Sequence, residues 1–158
     1  MRIVMTGVSH WHTPFYSGPV LEMPDAAIVG VSDPDVSRAP PLPERAKCPA
    51  FADYRDMCAR LKPDFAFVLG RHCDMADAAR FLIGEQIPFA IEKPCATDAA
   101  EAWDIARRAA AAGVFAAVPL VFRYCPIIDT VREVSAGTTS RSIPGCCAPA
   151  CCITATRK

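Results

Sequence analysis

Neither sign of charge dominates this chain of 158 residues: seventeen acidic side chains balance seventeen basic ones. No Lys/Arg cluster builds the positive field that a nucleic-acid backbone requires, so the composition argues against nucleic acid as a partner. Nowhere do about 18 apolar residues run without interruption, and the N-terminal run Ile3-Val4-Met5 is far shorter than the core of a signal peptide. The expectation is a cytoplasmic protein with no membrane span. Length is also short: one domain of ordinary size and a tail fit, and a second full domain does not. What the chain does have is apolar weight, 52% of its residues against 22% charged, enough for a packed core.

Cysteine is plentiful, at nine residues. Cys48, Cys58, Cys73, Cys95 and Cys125 lie within segments that read as regular structure, where a free cysteine serves as a small apolar side chain. Cys146, Cys147, Cys151 and Cys152 crowd the tail. Adjacent cysteines lack the two-residue gap of zinc knuckles, and no metal is expected there.

Short apolar runs rich in branched residues, ended by turn formers, predict buried parallel strands over residues 2–6, 26–32, 65–69 and 89–91. Another apolar run, 115–121, carries Pro119 and predicts an edge strand. Between them the period becomes helical. Tyr54, Met57, Cys58 and Leu61 follow an Asp53 N-cap; Met75, Ala78, Ala79 and Leu82 follow Asp74 and stop at Gly84. Ala99, Trp103, Ala106 and Ala110 follow Asp98, with Glu101 in the N3 position and Gly113 as the stop. Gly18-Pro19 predicts a kinked or restarted helix after the first strand. Residues 34–49 are proline-rich and predict a surface loop with at most one short helix around Pro43 to Lys47. Strands alternating with helices at this spacing give an α/β fold with a doubly wound parallel sheet, the Rossmann type, over residues 1–134. Residues 135–158 lack acidic residues, aromatics and periodicity, and read as an irregular or disordered tail.

Chemistry concentrates at the predicted carboxyl ends of the strands. Gly7-Val8-Ser9-His10-Trp11-His12 stands where such a fold places its phosphate-binding turn, with Asp33 ending the next strand to accept hydrogen bonds from an adenosine ribose. Ser9 and His12 occupy positions where small residues are usual, so the turn alone is a weak signal, and a turn that binds nothing is the alternative. Asp33 has its own alternative as part of an ordinary Ser-Asp-Pro turn. As a ribose ligand it favours NAD, while Arg38 nearby leaves NADP open. His10 and His12 lack a third ligand at a recognisable spacing, which argues against a metal; Trp11 would pack beside the cofactor while the histidines donate near its phosphates. Glu92-Lys93-Pro94 follows a buried strand directly, and a lysine there can stabilise the alkoxide character that develops as hydride leaves a substrate carbon. A surface lysine before a turn proline is the plainer alternative.

The order of Gly7, Asp33, Glu92-Lys93-Pro94, an alanine-rich helix and Arg123-Tyr124-Cys125-Pro126 resembles the Gfo/Idh/MocA family of glucose-fructose oxidoreductase, inositol dehydrogenase and relatives, over roughly residues 1 to 134. The resemblance implies a first domain that binds NAD or NADP, with Lys93 at the nicotinamide and Arg123 beside the cofactor, while Ser9 and His12 depart from the family's commoner glycines; with the turn and strand-end residues, the candidate cofactor-binding set is Gly7, Ser9, His10, Trp11, His12, Asp33, Glu92, Lys93 and Arg123. It implies Lys93 as the catalytic residue facing nicotinamide and a sugar or polyol. It also implies a second domain that shapes the sugar site, and no counterpart of that domain is expected in this chain. A truncated or frame-shifted product, inactive alone, is the expectation that follows. The alternatives are an NAD(P)-binding module without catalysis, or an interaction protein that forms homo-oligomers through apolar surface between Phe122 and Val134.

Overall fold

The computed structural model describes residues 1–35, 37, 41–120 and 125–137. Its strands are β1 (Arg2–Thr6), β2 (Ala27–Ser32), β3 (Ala50–Phe51), β4 (Phe65–Val68), β5 (Phe89–Ile91) and β6 (Ala116–Ala117). They form one sheet in the order β3-β2-β1-β4-β5-β6, and every pairing is parallel. The order reverses between β1 and β4, and at such a switch point an open parallel sheet leaves a crevice beyond its strand ends.

The helices are α1 (Thr13–Glu22), α2 (Leu42–Ala46), α3 (Tyr54–Leu61), α4 (His72–Gly84), α5 (Ala99–Ala112) and α6 (Pro126–Gly137). Alternation along the strands divides the core in two. Val4, Ala66 and Val68 join residues of α3, α4 and α5 in one cluster, whereas Ile3, Met5, Val31 and Leu69 join Val20 of α1 and Leu42 of α2 in the other. That is the two-sided burial expected of a doubly wound sheet. Gly30 lets α3 close on β2, since a Cβ there would stand 2.3 Å from the Leu61 Cδ1.

Local signals held where a side chain could satisfy a helix end. Asp53 accepts from the Arg55 N–H at 2.8 Å and Asp98 from the Glu101 N–H at 2.8 Å. Gly113 ends α5 in the left-handed conformation at φ +68°.

Elsewhere the fold departs from the periodicity. α4 starts at His72, so Asp74 lies in its first turn instead of capping it; the helix does end at Gly84, and the left-handed residue that follows is Gln86. α5 buries Ile105 and Ala109, while Trp103 and Ala110 are exposed: alanine reads equally well on either face, and the heavy Trp103 pointed the stripe outward. Pro19 lies inside α1. β6 is two residues long, ending before Pro119, and Val121 lies outside the described residues. α6 was not visible in the pattern and runs through Gly137, beyond the expected start of the tail at Ser135; residues 138–158 lie outside the described residues. No described helix is long and apolar enough to cross a membrane.

Candidate functional site

Gly7 follows β1 directly, and its backbone fixes the floor of the crevice. At φ +72° it has the left-handed conformation that glycine tolerates, and an added Cβ would meet the Leu69 carbonyl oxygen at 2.4 Å and the Gly70 Cα at 2.5 Å. Gly70, at φ +115°, faces it from the end of β4. Two bare backbones therefore meet where the strand order reverses. The Gly7 and Val8 N–H groups donate to the Ser32 carbonyl at 2.7 and 3.3 Å, tying the turn to the end of β2.

Asp33 comes next on that strand end and is 4% exposed. Its Oδ2 accepts from the Ser9 N–H at 2.8 Å and its Oδ1 from the Asp35 N–H at 3.0 Å. The carboxylate is thus aimed by backbone donors, and each oxygen keeps acceptor capacity. Ser32 Oγ beside it is buried with no hydrogen-bond partner among the described residues.

A cleft of about 1060 Å³ opens above these groups, at the upper end of the roughly 300–1,000 Å³ typical of small-molecule sites. Gly7, Ser9, His10, Trp11 and Asp33 of the expected set line it. Trp11 is 70% exposed. His10 accepts the His12 N–H at its Nδ1 (3.2 Å), so its neutral ring carries the proton on Nε2. Burial, then the nearby His12, hold its pKa below the ordinary 6.5, which keeps it an uncharged donor at neutral pH.

His12 and Glu92 turn to one another. The His12 Nδ1 lies 2.8 Å from the Glu92 Oε2, the Tyr16 hydroxyl donates to that same oxygen at 2.6 Å, and the Lys93 N–H donates to Oε1 at 2.7 Å. Glu92 is 2% exposed. Burial pushes its carboxyl up, but the bonds from Tyr16, His12 and the Lys93 N–H outweigh that and leave it below its ordinary value. Lys93 itself is exposed at the end of β5, followed by a cis peptide bond to Pro94. Arg123 lies outside the described residues, as does Arg38.

Sequence reasoning missed the far wall. Tyr54, Arg55, Arg71, His72 and Asp77 also line the cleft. Arg55 pairs with Asp77 at 2.5 Å and Arg71 with Asp74 at 2.6 Å, so both guanidinium groups already hold carboxylates. Tyr16 was missed as well, although it stands one helical turn after His12, a spacing that places both on one face.

The family model described as "Oxidoreductase family, NAD-binding Rossmann fold" matches residues 1–119. No curated protein matches the chain. Among solved structures, the WlbA dehydrogenase of Chromobacterium violaceum in complex with NADH and UDP-GlcNAcA superposes with a TM-score of 0.78 at 17% identity, over 87% of this chain and 40% of that one. An oxidoreductase of Agrobacterium radiobacter in complex with NAD+, L-tartaric acid and magnesium gives 0.76 at 17% identity, over 87% and 40%. The myo-inositol 2-dehydrogenase of Lactobacillus plantarum gives 0.75 at 12% identity, over 87% and 41%. The chain therefore spans about two fifths of the length of these structures. With three quarters of its residues under the family model, from the first strand to the end of β6, the chain belongs to the Gfo/Idh/MocA oxidoreductase family and comprises its NAD-binding Rossmann domain.

Proposed function

We propose that this chain binds NAD across the crevice between β1 and β4, with the adenosine ribose on Asp33 and the pyrophosphate over the turn that starts at Gly7. The observation that carries this is the Asp33 carboxylate, buried, bound by two backbone N–H groups and facing the cleft at the end of β2. Gly7 fits the same ligand, because a side chain there would fill the approach that a pyrophosphate uses. NAD is preferred to NADP: the Asp33 carboxylate repels a 2′-phosphate, and Arg55 and Arg71 are held by Asp77 and Asp74.

Ser9, His10 and Trp11 line the pyrophosphate and nicotinamide part of the cleft, with His10 donating from Nε2. To Lys93, exposed at the end of β5, this reading gives the nicotinamide end, where the bound cofactor would exchange hydride with a sugar or polyol carbon. The solved relatives support that substrate class: one is a myo-inositol dehydrogenase and another holds UDP-GlcNAcA. Lysine favours an alkoxide strongly only in a dry, enclosed site, and here it is exposed. We therefore assign the chain by itself binding without turnover. Calorimetric titration of the folded chain tests this reading: NAD binds and NADP binds at least about tenfold more weakly, the penalty of one poorly matched charged contact. Equal affinity for both would remove Asp33 as the selecting group.

A second activity, self-association, is favoured by one observation. Ile127, Val131 and Val134 of α6 are all exposed, and their spacing sets them along one helix face. Sedimentation of wild type against Ile127→Asp would show a concentration-dependent dimer that the charge abolishes; identical monomeric profiles would rule it out.

A further inference from the structure

We infer that Glu92 is a positioning residue for the cleft, acting through His12 and Trp11 and never touching a ligand itself. The inference rests on the dinucleotide reading above and assigns Glu92 and His12 a different task from the contact role that the motif suggests.

Three facts support it. Glu92 is 2% exposed, and its two oxygens already accept three hydrogen bonds, two on Oε2 and one on Oε1. Two of the three donors, His12 and Tyr16, belong to the segment that begins with the Gly7 turn, whereas the third is the Lys93 N–H. One buried carboxylate therefore joins the two sides of the switch point, since β1 and β5 flank β4. The imidazole so pinned in turn carries the exposed cleft wall: the Trp11 and His12 ring centroids are 3.7 Å apart, and Phe15 packs edge-on to both at 6.1 and 5.6 Å.

The arrangement also accounts for a departure from the usual turn. His12 stands where a glycine lets helix and strand approach closely. Its side chain must go somewhere, and a neutral pocket would leave the Nδ1–H unpaired at a cost. Glu92 supplies the acceptor, and Tyr16 and the Lys93 N–H hold that acceptor still. In this chain the missing glycine is replaced by a carboxylate–imidazole pair that fixes the turn from the side.

The test uses the full chain with Trp103→Phe, which leaves Trp11 as the single tryptophan of two. Trp11 fluorescence anisotropy is read without ligand, and NAD affinity by calorimetry, for the parent, His12→Ala, Glu92→Ala and the double variant, each checked for a native circular dichroism spectrum. Glu92→Ala should lower the anisotropy and weaken NAD about tenfold or more, the scale of a lost charge-assisted hydrogen bond. Adding it to His12→Ala should weaken NAD by less than about twofold further, because both changes break one pathway. Additive losses would overturn the inference in favour of direct ligand contact by Glu92, and so would unchanged Trp11 anisotropy. If the folded parent binds no NAD, the dinucleotide reading fails by itself, and the anisotropy still decides whether Glu92 holds Trp11. Should Glu92→Ala not fold, Glu92→Gln takes its place: it removes the charge, keeps the shape, and should move both readouts in the same direction.

Discussion

Two clusters at the strand ends, one lining the cleft at Asp33 and one beside it at Glu92 and Lys93, are built from different materials. At the Asp33 end the partners are backbone: Gly7 against Gly70, the Ser9 and Asp35 N–H groups on one carboxylate, and the Ser32 carbonyl on the turn. At the Lys93 end they are side chains, with His12 and Tyr16 converging on Glu92 while Lys93 stays exposed. Backbone partners cannot be lost by rotamer change, so the first end is set once the sheet forms. The second depends on two side chains keeping their places.

The sharpest way to break the comparison is Gly7→Ala. A left-handed φ of +72° and a Cβ 2.4 Å from a carbonyl oxygen leave no relief through side-chain motion. The expected loss is about 3 kcal/mol or more in urea unfolding, together with loss of measurable NAD binding. A stable Gly7→Ala protein that bound NAD normally would mean that the backbone end is softer than its geometry.

Acid should act on the other end through Glu92. The Glu92 carboxyl sits below its ordinary 4.5 in the folded chain, so the stability it contributes is complete above about pH 4.5 and is lost as pH falls through the lower folded value. Urea midpoints of wild type and Glu92→Gln should therefore differ by a constant amount from pH 7 to about pH 5 and converge below it. A gap that stayed constant down to pH 3 would show that the ionised carboxylate is not what holds the network. Smallest of all, Lys93→Ala should change stability by under about 0.5 kcal/mol, as exposed substitutions do. Its NAD affinity should fall less than that of Asp33→Ala.

Legibility in the sequence followed the same division. The strands declared themselves as short apolar runs, and Asp33 by its place at the end of one; Asp53 and Asp98 declared themselves as caps because capping is local chemistry. Glu92 did not. A charged residue at a strand end looks ligand-facing, and its burial comes from Tyr16 and His12, 76 and 80 residues earlier in the chain. The core face of α5 was hidden by alanines that suit either side, and α6 by a segment whose apolar residues end exposed. Gly70 was visible only as a strand terminator; its pairing with Gly7 exists because β1 and β4 become neighbours in the sheet.

Calorimetric titration of NAD into wild type and Asp33→Ala, side by side, addresses the backbone-built end most directly. Binding by wild type with a loss of roughly 10- to 100-fold in the variant is the predicted result, the range of a charge-assisted hydrogen bond removed from a prepared site. Folded wild type that bound no NAD, or an Asp33→Ala variant that bound it equally well, would contradict the assignment.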